Sequence, residues 1–151
     1  MTDIAELEAY VAISQVKAKY CRTLDTKDWA GYSDVFTEDL VLDTRPAGGT
    51  LTEGRDAAIR VVRAAVETAR TAHQVHSPEI TFNDDGSADV IWAMEDRVVW
   101  GPDRQVEPGL TGHTGYGHYH EHYVRERDGR WRIARQILTR LHMDQHFEKV
   151  T

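Results

Sequence analysis

Four kinds of residue in this chain have the types and spacing to move protons: a tyrosine, two aspartates, several histidines and an arginine near the end. The stretch "KYCRTLDTKDW", residues 19 to 29, closes a helical pattern and leaves Asp25 at the carboxyl end of that helix. A negative charge is disfavoured there by about 0.3 to 1 kcal/mol. Asp25 therefore either caps the helix that follows or is kept for chemistry. In the strand-like segment "ADVIWAMEDRVVW" the alternation of side chains puts Ala88, Val90, Trp92, Met94, Asp96, Val98 and Trp100 on one face. Asp96 is then a carboxylate in an apolar row, and burying it without a partner costs several kcal/mol. On the last strand Arg132, Ala134, Gln136, Leu138, Arg140 and His142 share a face, so Arg140 can supply the cation. The alternative is a bulge that turns Asp96 out to solvent beside Glu95 and Arg97.

His73 and His76 flank the entry to the first long strand, where Pro78 limits regular pairing. A histidine at a strand mouth suits acid/base work, because its unperturbed pKa of about 6.5 lies near neutrality; a merely hydrogen-bonded imidazole is the alternative. Tyr20 is open to the same two readings, core residue or proton donor. His118, His120 and His122 put three imidazoles on one strand face, with His113 and His142 as further histidines that could come near them. Neighbours in that row stand about 6.7 Å apart, and no cysteine pattern, HExxH helix or carboxylate-rich loop accompanies them. A polar strand face or a subunit contact is expected, not a metal site.

These residues need elements to hold them. Apolar residues at helical spacing from Asp3 to Leu24 (Ile4, Leu7, Val11, Ile13, Val16, Tyr20, Leu24) predict a first helix, with Asp3 and Glu6 in the form of a capping box. Thr26 or Asp28 can cap a short second helix, "WAGYSDVF". "EDLVLDT" reads as a strand with "RPAGG" as its turn, and a third helix runs from about Arg55 to Arg70. Four strand segments follow, "HQVHSPEITF", "ADVIWAMEDRVVW", "GYGHYHEHYVRER" and "WRIARQILTRLHM", split by "NDDG", by the irregular stretch 101 to 114 and by "RDGR". Helices first and antiparallel strands afterwards argue an α+β fold, with helices covering one face of a curved sheet.

The chain has 151 residues, the size of one domain, and 1–151 is read as a single unit. Its 25 acidic against 18 basic side chains repel phosphate backbones and anionic lipid, which excludes nucleic acid and membrane surfaces as expected partners. Cys21 is the only cysteine, and the first residues lack the regions of a signal peptide, so a cytoplasmic location is expected.

Taken together, "KYCRTLDTKDW", "HQVHSPEIT", "MEDRVVW", "HYVRERDGRW" and "TRLHMDQHF" resemble the SnoaL-like branch of the nuclear transport factor 2-like superfamily, and most closely its bile-acid 7α-dehydratase members. The resemblance implies a cystatin-like cone: amino-terminal helices on a strongly curved mixed sheet that encloses a pocket, assembled as a homotrimer. It implies that Tyr20, Asp25, His73, Asp96 and Arg140 are the catalytic set, with Asp25 supporting His73. It implies a dehydratase without cofactor or metal, acting on a small hydrophobic cyclic substrate such as a hydroxysteroid. An isomerase or cyclase of the same superfamily, or a binding module, is the rival. Gln136 stands where many other SnoaL-like enzymes carry an arginine, which favours the dehydratase branch, while the 101 to 114 loop matches none of the bile-acid enzymes.

Overall fold

Strand-forming residues fill the second half of the chain, and there they build one sheet. The computed structural model describes residues 4–101 and 107–148. Helix α1 (Ile4–Asp25) and the short α2 (Trp29–Ser33) precede β1 (Phe36–Asp43); a 3₁₀ turn (Arg45–Ala47) leads to β2 (Leu51–Glu53) and α3 (Arg55–Val66); then come β3 (Arg70–Phe82), β4 (Ala88–Val99), β5 (Leu110–Arg125) and β6 (Trp131–Phe147). The sheet order is β2-β1-β6-β5-β4-β3, with β1 parallel to β6 and the other pairs antiparallel. This is the expected α+β fold, helices packed on a curved mixed sheet. No helix among the described residues is long and apolar enough to cross a membrane.

Helix α1 is less uniform than its sequence suggests. At 100° per residue, Ile13, Lys17, Tyr20 and Leu24 fall on one side, and all four are buried. Ile4, Leu7 and Val11 fall on another side and are exposed at 72%, 54% and 58%. The apolar positions form two stripes, and only the carboxyl-terminal one meets the sheet. The expected capping residue Asp3 lies outside the described residues. Helix α2 stops at Ser33 because Val35 and Phe36 are drawn into the core and into β1; Asp28 caps it, accepting from the Gly31 amide at 2.9 Å. Helix α3 ends at Val66, four residues early, since Arg70 already pairs with Val99.

Strands β5 and β6 differ most from expectation. Residues 110–114, read as loop, are strand, and Gly112 explains the misreading: a Cβ there would collide with the Val98 carbonyl, so the close approach of β5 to β4 demands glycine. Register shifts on β6 break its simple alternation. Gln136, Leu138 and Arg140 face inward as expected. Arg132 and His142 do not, because bulges intervene near Ala134 and Leu141; Ile133 fills the core instead, paired with Tyr123.

The core lies between α1, α2 and the concave sheet face. Tyr20 is its hub, with ring centroids 5.1 Å from Tyr32, 5.9 Å from Phe36 and 5.7 Å from Tyr119. Edge-on aromatic packing of this kind adds about 0.5 to 1.5 kcal/mol per pair beyond burial.

Candidate active site

The carboxyl end of α1 lands on the first residues of β3, and Asp25 is the fastener. Its Oδ1 accepts from Thr71 Oγ1 at 2.8 Å, its Oδ2 from the His73 amide at 2.8 Å, and Oδ1 lies 2.6 Å from His73 Nδ1. Lys27, held in the left-handed region at φ 60°, donates to Thr71 Oγ1 at 2.8 Å. Burial pushes the Asp25 carboxyl up, but the hydrogen bonds from the His73 ring and amide and from Thr71 outweigh it and hold the pKa below 3.8. Asp25 is therefore an anion and can only accept, so the hydrogen of this contact belongs to His73 Nδ1, and Nε2 is turned away from the dyad. Among the described residues no hydrogen-bond partner meets that Nε2. Asp25 does not cap α2, and the helix-end penalty is offset by these donors.

His73 on β3 is in register with Asp96 on β4, and Asp96 with Gly115 on β5. Asp96 faces inward, 3% exposed, as the alternation requires. No bulge turns it out. Arg140 reaches it from β6 with both guanidinium nitrogens, Nη1 to Oδ1 and Nη2 to Oδ2 at 3.0 Å. The reach crosses β5, and Gly115 makes it possible: a Cβ there would collide with Arg140 Nη1 and Asp96 Oδ1. His113 Nε2 adds a contact to Asp96 Oδ2 at 3.3 Å. Burial opposes ionisation of Asp96, yet His113 and Arg140 hold its carboxyl well below the usual carboxylate range. Burial likewise pulls the Arg140 guanidinium down, and Asp96 more than restores it.

Tyr20 lies deeper than the other four. Its hydroxyl donates to Gln136 Oε1 at 3.3 Å. Burial, with the neighbouring Tyr119, pushes its pKa well above 10, so it is a neutral phenol. Beneath it sits an ion pair that the sequence reading missed. Lys17 Nζ donates to Glu121 Oε1 at 2.6 Å with both side chains at 0% exposure, and Tyr123 donates to Glu121 Oε2 at 2.6 Å. The ammonium stands 3.8 Å from the Tyr20 ring centroid and 3.7 Å from that of Tyr119. Gln136 Nε2 closes the network on Glu121. A signal existed: Lys17 occupies the i+4 position after Ile13, on the buried stripe where a lysine has no business without a partner.

The remaining histidines part company with the site. His76 is exposed on the opposite face of β3 from His73. His118, His120 and His122 line the outer sheet face as expected, with His122 on Asp89 at 2.8 Å and His120 on Thr139 at 3.2 Å. His142 stacks on Tyr116 at 4.5 Å, while His113 turns inward. No metal-ligating cluster occurs among the described residues. A concavity of about 670 Å³ lies at the other end of the sheet, between Ala9 and Ala12 of α1, Phe82 and Trp131. It holds none of the five expected residues and no acid–base pair, so the chemistry points to the His73 end.

Similar proteins share this frame. A candidate scytalone dehydratase from Novosphingobium aromaticivorans superposes with TM-score 0.79 at 21% identity, covering 96% of this chain and 92% of that one. A hexachlorocyclohexane dehydrochlorinase gives 0.80 at 14% identity, with 98% of each chain covered. ActVI-ORFA from Streptomyces coelicolor gives 0.73 at 19%, covering 89% and 98%. The SnoaL-like domain model matches residues 5–136, a span that holds Tyr20, Asp25, His73 and Asp96 and stops short of Arg140. The chain belongs to the SnoaL-like domain family, within the nuclear transport factor 2-like superfamily.

Proposed function

We propose that this protein is a cofactor-independent lyase that eliminates water from a carbonyl-activated cyclic alcohol, a hydroxysteroid or comparable polycycle being the first candidate. The observation that carries the reading is the Asp25–His73 pair, whose carboxylate fixes one imidazole nitrogen and leaves the other bare on the concave face. Elimination next to a carbonyl needs a base for a carbon-bound proton and a donor for the enolate oxygen that develops. His73 Nε2 is the base; the Arg140 guanidinium, neutralised by Asp96, and the Tyr20 phenol set the polarity of the wall behind it. Names borne by proteins of the same fold, a dehydratase and a dehydrochlorinase, support elimination as the reaction class. The bile-acid branch of the resemblance supports a steroid.

Gln136 favours this reading over the dehydrochlorinase type, because it spends its carbonyl on Tyr20 and its amide on Glu121. The test is incubation with a panel of hydroxylated ketosteroids, followed by mass spectrometry for loss of about 18 mass units, one water, from the substrate class that needs a base and an acid. Elimination by wild type that vanishes in His73→Ala supports the assignment; unchanged substrate throughout the panel refutes it. We also propose that the enzyme works as a homotrimer, and a monomer mass by light scattering at micromolar concentration refutes that.

A further inference from the structure

Lys27 stands where the backbone asks for glycine. It follows α1 with φ at 60°, and among the described residues it is the one non-glycine residue in the left-handed region; the other such positions are Gly48, Gly54, Gly86, Gly109 and Gly129. A side chain disfavours that conformation, and glycine is the usual residue just past a helix end. An outlier of this kind points to a use for the side chain. Here the Lys27 ammonium donates to Thr71 Oγ1 at 2.8 Å and to the Leu24 carbonyl at 3.2 Å.

The hydrogen bonds beyond Lys27 run one way. An ammonium only donates, so Thr71 Oγ1 accepts from Lys27 and gives its single hydrogen to Asp25 Oδ1, 2.8 Å away. The same oxygen lies 2.6 Å from His73 Nδ1. Three contacts in series thus join a cation to the imidazole, and end to end they span no more than a Debye length of about 8 to 10 Å. The other charges around the ring are already matched. Asp96 on β4 is held by Arg140 of β6 and His113 of β5, and Glu67 beyond α3 is held by Arg63. Burial pushes the Cys21 thiol of α1 up to about 11, so it is uncharged at neutral pH. Burial also pulls the Lys27 ammonium down, and the charges of Asp25 and Glu67 resist it.

A carboxylate beside an imidazole does two things at once: it orients the ring, and it favours the imidazolium. The first serves a base, and the second disables it, because only the neutral ring can take a proton. We infer that Lys27 is a positioning residue of the dyad: through Thr71 it offsets the charge of Asp25, so that the carboxylate orients His73 without holding the ring protonated. The inference rests on the elimination reading for the use of His73 as a base, and on geometry alone for the action of Lys27 upon it. It also accounts for a lysine in a glycine conformation, since glycine there would leave the carboxylate unopposed.

The test needs no substrate. NMR of the ring nitrogens follows protonation of His73 in wild type, Lys27→Gly and Lys27→Arg. Coulomb's law at about 8 Å, with an effective dielectric between about 20 and 80, predicts proton binding about 3- to 30-fold tighter in Lys27→Gly. Lys27→Arg keeps the charge and should stay within about 2-fold of wild type. Lys27→Gly also relieves the left-handed backbone, so its urea unfolding midpoint should equal or exceed that of wild type; Lys27→Met removes the same charge should the glycine variant fail to fold. Proton affinity unchanged on loss of the charge, or raised equally in Lys27→Arg, overturns the role of Lys27. A lower unfolding midpoint with unchanged proton affinity does so too, by assigning the lysine to the helix end. Where wild type eliminates water from a ketosteroid, the rise of turnover with pH should move to higher pH in Lys27→Gly. Wild type that eliminates from no member of the panel overturns the elimination reading instead, and the proton-affinity comparison still decides what Lys27 does to the dyad.

Discussion

Two charged groups of residues share the concave face of one sheet and live under opposite conditions. Lys17 and Glu121, deep under α1, are sealed at 0% exposure, with each heteroatom committed to another side chain or stacked on a tyrosine. The row at the other end, Asp25, His73, Asp96, His113 and Arg140, keeps 5% to 22% of its side-chain surface open and leaves two imidazole nitrogens uncommitted. Full commitment makes a scaffold. Partial commitment, with every carboxylate satisfied and one nitrogen of each ring spare, makes a site.

The largest expected effect falls on the sealed pair. Lys17→Met or Glu121→Gln alone leaves an uncompensated group in the core and should cost about 3 to 5 kcal/mol of stability, read from urea unfolding, whereas removing both charges together should cost far less. A single variant within about 1 kcal/mol of wild type would break the contrast.

Next in size, His73→Ala should lower turnover by about 100-fold or more, and Asp25→Asn comparably, because a neutral amide no longer dictates the tautomer. Their unfolding midpoints should move much less than those of the Lys17 variants. If stability falls as far as activity, the row is scaffold as well.

Gly115→Ala comes third. The new Cβ meets Arg140 and Asp96, so the variant should lose about 1 to 3 kcal/mol by overpacking and loosen the ion pair, and a crystal structure should show Arg140 displaced. An undisturbed Arg140 would show that β5 can bend away at no cost.

The smallest effect emerges only in acid. The folded pKa values of Asp25 and Asp96 are depressed below 3.8, so their contribution is fully present above that pH and is lost as the pH falls through the folded values. Asp96→Asn should therefore flatten the decline in unfolding midpoint below about pH 4. An equally steep decline in that variant would assign the acid sensitivity to other carboxylates.

The inward register of β4 was legible because its alternation is unbroken, and with it the burial of Asp96 and its need for Arg140. The tie between Asp25 and His73 was legible only through resemblance, since 48 residues separate them and no local pattern joins them. Three things were hidden for physical reasons. Bulges near Ala134 and Leu141 reversed Arg132 and His142, and a period-two reading cannot see a bulge. Gly112 looked like loop because a strand glycine that permits close approach is written like a turn glycine. His113 was hidden because it fell in the stretch 101 to 114 read as irregular, where no strand alternation could tell which way it faces.

The His73 amide gives Asp25 a use beyond chemistry. That N–H points at the carboxylate oxygen Oδ2 at 2.8 Å, so the proton is shielded only while α1 stays docked on β3. Its exchange with deuterated solvent, followed by NMR with no substrate present, thus reports how often the acid–base pair comes apart. If that opening is rare, the dyad stands ready before substrate arrives; if it is frequent, each turnover begins with an act of local folding.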